Sequence, residues 1–374
     1  MSGKETENNT QANEKAGGDF PLPAYLLPWF DRNKRDLPWR KSKDAYAVWV
    51  SEIMLQQTRV EAAKEHYIRF MRALPTVFDL AACDDEKLMK LWEGLGYYSR
   101  ARNMKKCAVQ VVEAYGGVFP RDKALLRKLP GIGEYTAGAV SSIAYDEKNP
   151  AVDGNVLRVC ARAEGDFTPV DDAGRRKALT EKLAAVYPER AGDYTQSLME
   201  LGALVCLPDN PKCGECPLRG HCVAEREGWQ ARLPVMPLKA EKKRERLAVF
   251  IVRTPVGAVL RKRSQKGVLA GMWEFPNRPF DGVGAGEEER ERKFLSDVLE
   301  VWGMTEKNGQ ENGQLFMLRG KKEHTHVFTH LVWEMTGYVI DLPSVPAGMQ
   351  VFSAERIQKE LSVPSAFRWC LDCL

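Results

Sequence analysis

No stretch of 18 or more apolar residues occurs in the 374-residue chain, so no membrane-spanning helix is expected. The first twenty residues, MSGKETENNTQANEKAGGDF, are low in apolar content and lack the apolar centre of a secretory signal. They are expected to form a disordered tail. Net charge is small: 55 Lys and Arg against 51 Asp and Glu leave a formal net charge of +4. That permits nucleic-acid binding without arguing for it. There is no internal repeat. Hydrophobic residues, by contrast, make up 44% of the chain, ample for a core, and the length predicts two or three domains.

Nine cysteines are present, but not in the pattern of a disulfide framework. Four of them, Cys206, Cys213, Cys216 and Cys222, crowd into one short segment with the spacing C-x6-C-x2-C-x5-C. Without a secretory signal, a reducing compartment with a metal or cluster site is the better reading. Four thiolates can bind an iron–sulfur cluster or zinc. Zinc sites usually use two short knuckles separated by a longer stretch. One C-x2-C flanked by single cysteines favours a [4Fe–4S] cluster. The same loop carries Lys212 and Arg219, which could face phosphates. Cys370 and Cys373 form a C-x2-C without companions and read as a loose pair.

Residues 21–224 read as successive helices. In DDEKLMKLWEGLG, Asp84 or Asp85 can cap the start and Gly96 can end the helix. Leu88, Leu91, Trp92 and Leu95 form one apolar stripe. ARNMKKCAVQVVEAYGG closes at Gly116, and GDYTQSLMELGALVC runs as a helix into the cysteines. Residues 225–245 are polar and basic, with Pro234 and Pro237, and read as a linker. From 246 to 366 the period becomes two, which predicts a smaller α+β domain, with 367–374 as a tail. RLAVFIVRTPVGAVLRKR reads as two strands around a Pro-Val-Gly turn. A helix with Phe294, Leu295, Val298, Leu299 and Trp302 inward follows. HVFTHLVWEMTGYVI reads as one long strand with Val327, Thr329, Leu331, Trp333 and Met335 on a common face.

Two features carry candidate chemistry. LPGIGEYTAGAV, residues 129–140, places Gly131 and Gly133 ahead of a helix. Both glycines can take positive φ, and the N–H groups of the helix start suit an anion such as a DNA phosphate. An ordinary helix–helix turn would look the same. In VWVSEIMLQQTRV, Glu52 shares a helix face with Val48 and Leu55. Partial desolvation there would raise its pKa and suit it as a general acid; a surface glutamate is the alternative. Asp153 in NPAVDGNVLRV sits ahead of an apolar helix, where an N-cap is its common role and the helix start would keep it ionised. One protonated and one ionised carboxyl is the arrangement for cleaving a glycosidic bond.

LPWR (37–40), SEIMLQQT (51–58), GLGYYSRARN (94–103), VDGNVLRV (152–159), ELGALVC (200–206) and the cysteine spacing together resemble the MutY-type adenine DNA glycosylases. Those belong to the endonuclease III, or helix-hairpin-helix, superfamily. The resemblance implies an all-α helix-hairpin-helix domain with a [4Fe–4S] loop, followed by an α+β MutT-like, Nudix-related domain. It makes LPGIG the hairpin turn that grips the DNA backbone. It makes Glu52 the acid that protonates the adenine, and Asp153 the group that stabilises the oxocarbenium-like sugar, with Asn155 in the same motif. Superfamily members that also cut the backbone carry a lysine where this chain has Tyr135, so base release without efficient strand cleavage is implied. Trp39, Arg40 and Gln196 match residues of the adenine pocket. Gln57 and Tyr97 match residues that probe the DNA where a base has left the stack.

The second domain of that family recognises 8-oxoguanine opposite the adenine, typically with a Phe-Ser-His loop; the matching residues here are Phe328, Thr329 and His330. Three of the five histidines, His324, His326 and His330, fall in this segment. A metal is possible there, but a polar strand facing DNA is preferred. The pyrophosphohydrolase box R-E-x2-E-E-x-G is not met by EEERERKFLSDVLEVWG, so nucleotide hydrolysis is not expected. The expected partner is duplex DNA with A:8-oxoguanine or A:G mispairs, bound by a monomer in a bacterial cytoplasm, associated with the nucleoid. A T/G-mismatch glycosylase and a non-catalytic iron–sulfur DNA-binding protein are the rival readings. The first generally lacks a MutT-like domain; the Glu52–Asp153 pair speaks against the second.

Overall fold

The computed structural model describes residues 22–237, 241–264, 266–280, 291, 293–298, 317–345 and 348–374. The expected N-terminal tail, Leu299, Trp302 and most of the acid-rich segment 287–303 lie outside them. The chain forms two compact units, Met1–Cys83 with Arg102–Lys239, and Asp84–Ala101 with Ala240–Leu374.

The first unit is helical. Its central helix, Ala45–Leu55, is apolar on every side except at Ser51 and Glu52, and it is buried from Ala45 to Met54. Such all-round burial follows from an all-round apolar sequence. Asp44 caps it by accepting the Ala47 N–H. Helix Glu134–Tyr145 packs against it. Gly138 in that helix lies so close to the Pro150 carbonyl that an added Cβ would sit 2.3 Å from the oxygen. Helices Gly154–Glu164 and Ala191–Leu204 also pack together, around Val156, Leu157, Tyr194, Leu198 and Leu201. A Cβ at Gly202 would meet Asn155 at 2.5 Å, so the glycine sets how closely these two helices approach.

Two local expectations are corrected. Of the two turn glycines only Gly131 has positive φ, at 77°; Gly133 is extended and forms the N-cap of Glu134–Tyr145. The helix capped by Asp84 spans Asp85–Leu91 and stops short of Gly96. Gly94 and Gly96 both take positive φ, and the Trp92 indole N–H donates to the Gly96 carbonyl at 3.0 Å, which turns the chain early. Leu88, Trp92 and Leu95 are buried as the stripe required, while Leu91 is half-buried.

The second unit holds a mixed sheet in the order β3-β2-β1-β6-β5. Its strands are β1 (Lys243–Thr254), β2 (Gly257–Lys262), β3 (Trp273–Glu274), β4 (Asn277–Pro279), β5 (Met317–Val327), β6 (Leu331–Asp341) and β7 (Gln350–Phe352). β1 and β6 run parallel, and the other pairings are antiparallel. β4 pairs with β1 and β7 with β2. Alternate side chains build two cores, Leu247, Val249, Leu331, Trp333 and Met335 on one face, Ala248, Phe250, Tyr338 and Ile340 on the other. Val298 is buried in the second core, with Phe294 and Leu295 packed against it.

The segment expected as a single long strand is a hairpin. Val327 ends β5, Leu331 starts β6, and Phe328-Thr329-His330 make the turn, closed by Phe328 N–H to Leu331 O at 2.8 Å. Leu331, Trp333 and Met335 share the expected buried face; Val327 and Thr329 are exposed. The period of two continues through the turn, which hid it.

Candidate active site

A cavity of about 610 Å³ opens in the helical unit. Glu52 and Tyr135 meet in it from adjacent helices, with Asp153 and Asn155 at the start of a third. Glu52 is only 6% exposed. Burial pushes its carboxyl up to about 7; the hydrogen bond from Tyr135 and the charge of Arg40 pull down, and the charge of Asp153 pushes up. The Tyr135 hydroxyl donates to Glu52 Oε2 at 2.6 Å. Burial, then the neighbouring Glu52 and Asp153 charges, raise the phenol well above its ordinary value, so it remains a donor.

Asp153 is the N-cap of Gly154–Glu164 and accepts the Val156 N–H at 2.7 Å and the Asn155 side-chain amide at 2.8 Å. Burial raises its carboxyl, against these donors and the Arg158 charge, all of which lower it. The helix start, expected to keep the carboxyl ionised, only partly offsets a desolvation that the sequence did not reveal, and the carboxyl stays above its ordinary value. Asn155 is itself oriented, because Arg158 Nη2 donates to its Oδ1 at 2.9 Å. Arg158 also donates to the carbonyls of Cys206 and Gly202, at 2.8 Å each. A chain of polar contacts thus runs from Asp153 through Asn155 and Arg158 to the first of the four closely spaced cysteines.

Trp39, Arg40 and Gln196 also line the cavity. Arg40 Nε donates to Gln196 Oε1 at 3.0 Å. Its two terminal nitrogens donate to Glu200, which also accepts from Arg35 Nε, Nη2 and the Arg35 backbone N–H. Glu200 is 1% exposed. Burial alone would raise it, but Arg35 and Arg40 hold it down to about 2. Sequence reasoning gave Arg35 and Glu200 no role. The available signal was the spacing of Glu200, one helical turn after Gln196 and on the same face. Gln57 lines the cavity with φ 58°, a left-handed conformation that costs about 1–3 kcal/mol in a non-glycine residue and is typical of functional sites.

Cys206, Cys213, Cys216 and Cys222 border one small apolar volume with Val159, Leu201 and Leu218, and none is in a disulfide. Arg162 Nη1 lies 3.5 Å from Cys206 Sγ, and Gln230 Nε2 lies 4.0 Å from Cys213 Sγ. Burial pushes the Cys216 thiol up to about 12 and raises Cys222 too, so thiolates here need a positive centre beside them. Among the described residues no three His, Cys, Asp or Glu side chains are arranged to hold a single metal ion.

Gly131 and Gly133 are both exposed; a Cβ at Gly131 would meet Asn103 at 2.8 Å, whereas Gly133 has open space. In the second unit, Tyr97 is exposed with φ 46°, and its hydroxyl hydrogen-bonds that of Thr329 at the tip of the β5–β6 turn. Phe328 packs edge-on against Trp333, and His330 is exposed. Among the described residues no helix is long and apolar enough to cross a membrane.

A buried acid beside a helix-capping aspartate in an all-helical unit fits the class of helix-hairpin-helix DNA glycosylases. Residues 50–184 match the family model of the HhH-GPD superfamily base excision DNA repair protein, and residues 248–373 match that of a NUDIX domain. The chain is 38% identical to the adenine DNA glycosylase of Rattus norvegicus over 332 residues, 74% of this chain and 63% of the rat protein. To that of Homo sapiens it is 35% identical over 395 residues, 88% of this chain and 70% of the human one. A solved thermostable thymine-DNA glycosylase matches with a TM-score of 0.50 at 28% identity, covering 55% of this chain and 94% of its own. The chain belongs to the adenine DNA glycosylase family of base excision repair.

Proposed function

We propose that the protein removes adenine opposite 8-oxoguanine, and more weakly opposite G, by hydrolysing the N-glycosidic bond without efficient strand cleavage. The observation that carries this is the Tyr135–Glu52 hydrogen bond, inside a cavity that also holds Asp153. A carboxyl poised near neutrality can deliver a proton to the purine at N7, and then activate water. Asp153, supplied with donors, stabilises positive charge on the sugar. Tyr135 occupies the place of a lyase's amine and is hydrogen-bonded to the acid, so no nucleophilic nitrogen stands there.

The second unit is the reader of the opposite base, with Phe328, Thr329 and His330 presented on an exposed turn and Tyr97 beside them. Gly131 and Gly133 open the helix start that grips a phosphate. The four cysteines are the ligands of a [4Fe–4S] cluster, whose part is to hold the 206–222 loop in shape. Four thiols around a shared apolar volume suit a cube of irons, which spreads its ligands more widely than a single zinc ion does. Equal amounts of iron and acid-labile sulfide in purified protein support the cluster; stoichiometric zinc without iron refutes it.

The deciding experiment measures base release from A:8-oxoguanine, A:G and T:G duplexes. Adenine release that is fastest opposite 8-oxoguanine and lost in Glu52→Gln, with DNA binding retained, is expected. Thymine release from T:G would move the protein to the other branch of the superfamily. Borohydride trapping as strong as that of a true lyase would overturn the monofunctional assignment.

A further inference from the structure

The geometry points to Arg176 as a clamp for a phosphate of the extruded nucleotide, holding the sugar over Asp153. This rests on the glycosylase reading above and extends it to a residue that reading leaves without a role.

Three arginines, Arg35, Arg40 and Arg176, line the catalytic cavity. The first two spend their charge on one another's partner, because Glu200 accepts from both. Arg176 differs. It lies near the start of the neighbouring helix Ala173–Val186, is exposed, and forms no ion pair among the described residues. Its Nη1 donates to the carbonyl of Val152, the residue immediately before Asp153. One arm of the guanidinium is therefore pinned to the backbone that carries the aspartate, while its other donors remain for a ligand.

The ground beside it is open. Gly154 follows Asp153 as the first residue of its helix, and a Cβ built there would meet nothing within 4 Å. A nucleotide whose base reaches Glu52 and whose sugar faces Asp153 must bring a flanking phosphate to this rim. An unpaired guanidinium fixed by one arm is suited to accept it, by a charge-assisted hydrogen bond. A phosphate held there fixes the distance between C1′ and the Asp153 carboxylate, which is the geometric requirement for stabilising the sugar cation. A guanidinium at this rim reads no base, so its contribution is to the extruded state and not to sequence.

The test measures DNA affinity in a Glu52→Gln background, which allows binding without turnover, with and without Arg176→Gln. For an A:8-oxoguanine duplex, Arg176→Gln is expected to raise Kd about tenfold, the size of one lost charged hydrogen bond. The slope of log K against log salt should fall by about one, as for one lost phosphate contact. A fully paired duplex, in which no nucleotide is extruded, should show a much smaller change. Arg176→Lys, which keeps the charge, should recover most of the affinity. An unchanged Kd and slope would overturn the proposal. So would an equal loss on mispaired and paired duplexes, or a loss that tracks a fall in Tm and is not recovered by lysine, since both describe a merely structural arginine. If the otherwise unmodified protein releases no adenine, the glycosylase reading fails instead, and that outcome is read in a separate assay.

Discussion

The Tyr135 hydroxyl donates to Glu52 Oε2 at 2.6 Å, between two helices that pack against each other. That bond opposes burial, because it favours the ionised carboxylate. Removing it with Tyr135→Phe should raise the Glu52 pKa above its value of about 7. The basic limb of the pH–rate profile is then expected to move to higher pH, while the maximal rate falls because the carboxyl loses its orientation. Single-turnover base release between pH 5 and 9 checks both; an unmoved limb would mean that the proton donor is another group.

Glu52 should also weaken the fold at neutral pH. Its folded pKa of about 7 lies above the ordinary carboxylate value, so the buried acid is accommodated below about pH 4 and becomes progressively unfavourable up to about pH 7. Glu52→Gln removes the ionisation and is expected to stabilise the protein at pH 8 by ~3 kcal/mol, with little gain at pH 4. Thermal melts of both proteins at the two pH values decide it. An equal shift at both would assign the effect to packing.

These two residues also show what the sequence reveals and what it withholds. Glu52 was legible because a carboxyl stood in an apolar helix. Its hydrogen bond to Tyr135 was not, since Tyr135 lies 83 positions away and only the crossing of two helices joins them. Asp153 was legible as an N-cap, but its desolvation depends on walls supplied by other helices. The hairpin at 328–330 was missed for a different reason. Its turn residues keep the strand period, and no Gly or Pro interrupts them. Glu200 looked like one more helix glutamate until folding placed Arg35 and Arg40 around it.

Glu200 is expected to be the costliest of the cavity's carboxylates to remove. Its pKa of about 2 means that the stabilisation is present above about pH 4 and is lost as pH falls through about 2. Glu200→Ala leaves two guanidiniums facing each other without their anion. Breaking a buried pair in this way costs about 3–5 kcal/mol. The Tm should drop markedly at pH 7, and adenine release should weaken because Arg40 no longer holds Gln196. Chemical denaturation measures the first effect. A loss below about 1 kcal/mol would show the cluster of charges to be dispensable.

Arg158 joins Asn155 to the Cys206 carbonyl. Arg158→Gln should therefore have two signatures in one protein: slower base release, because the Asn155 amide is free to turn away from Asp153, and a lower iron content, because the cysteine segment loses an anchor. Iron analysis and single-turnover kinetics on the same preparation check the pair. Iron retained in full with an unchanged rate would break the proposed connection.

Thr329 stands at an exposed turn with its hydroxyl against that of Tyr97. A reader of 8-oxoguanine needs polar groups that pair with the oxidised base and are left unpaired by guanine, and such a mismatch is worth about 1–3 kcal/mol. Thr329→Ala should therefore slow adenine release opposite 8-oxoguanine by about tenfold while leaving release opposite G nearly unchanged. Tyr97→Phe removes only the other hydroxyl and separates the contact between them from contact with DNA. If the ratio of the two rates stays constant in Thr329→Ala, the turn does not read the opposite base, and its exposure must serve another purpose.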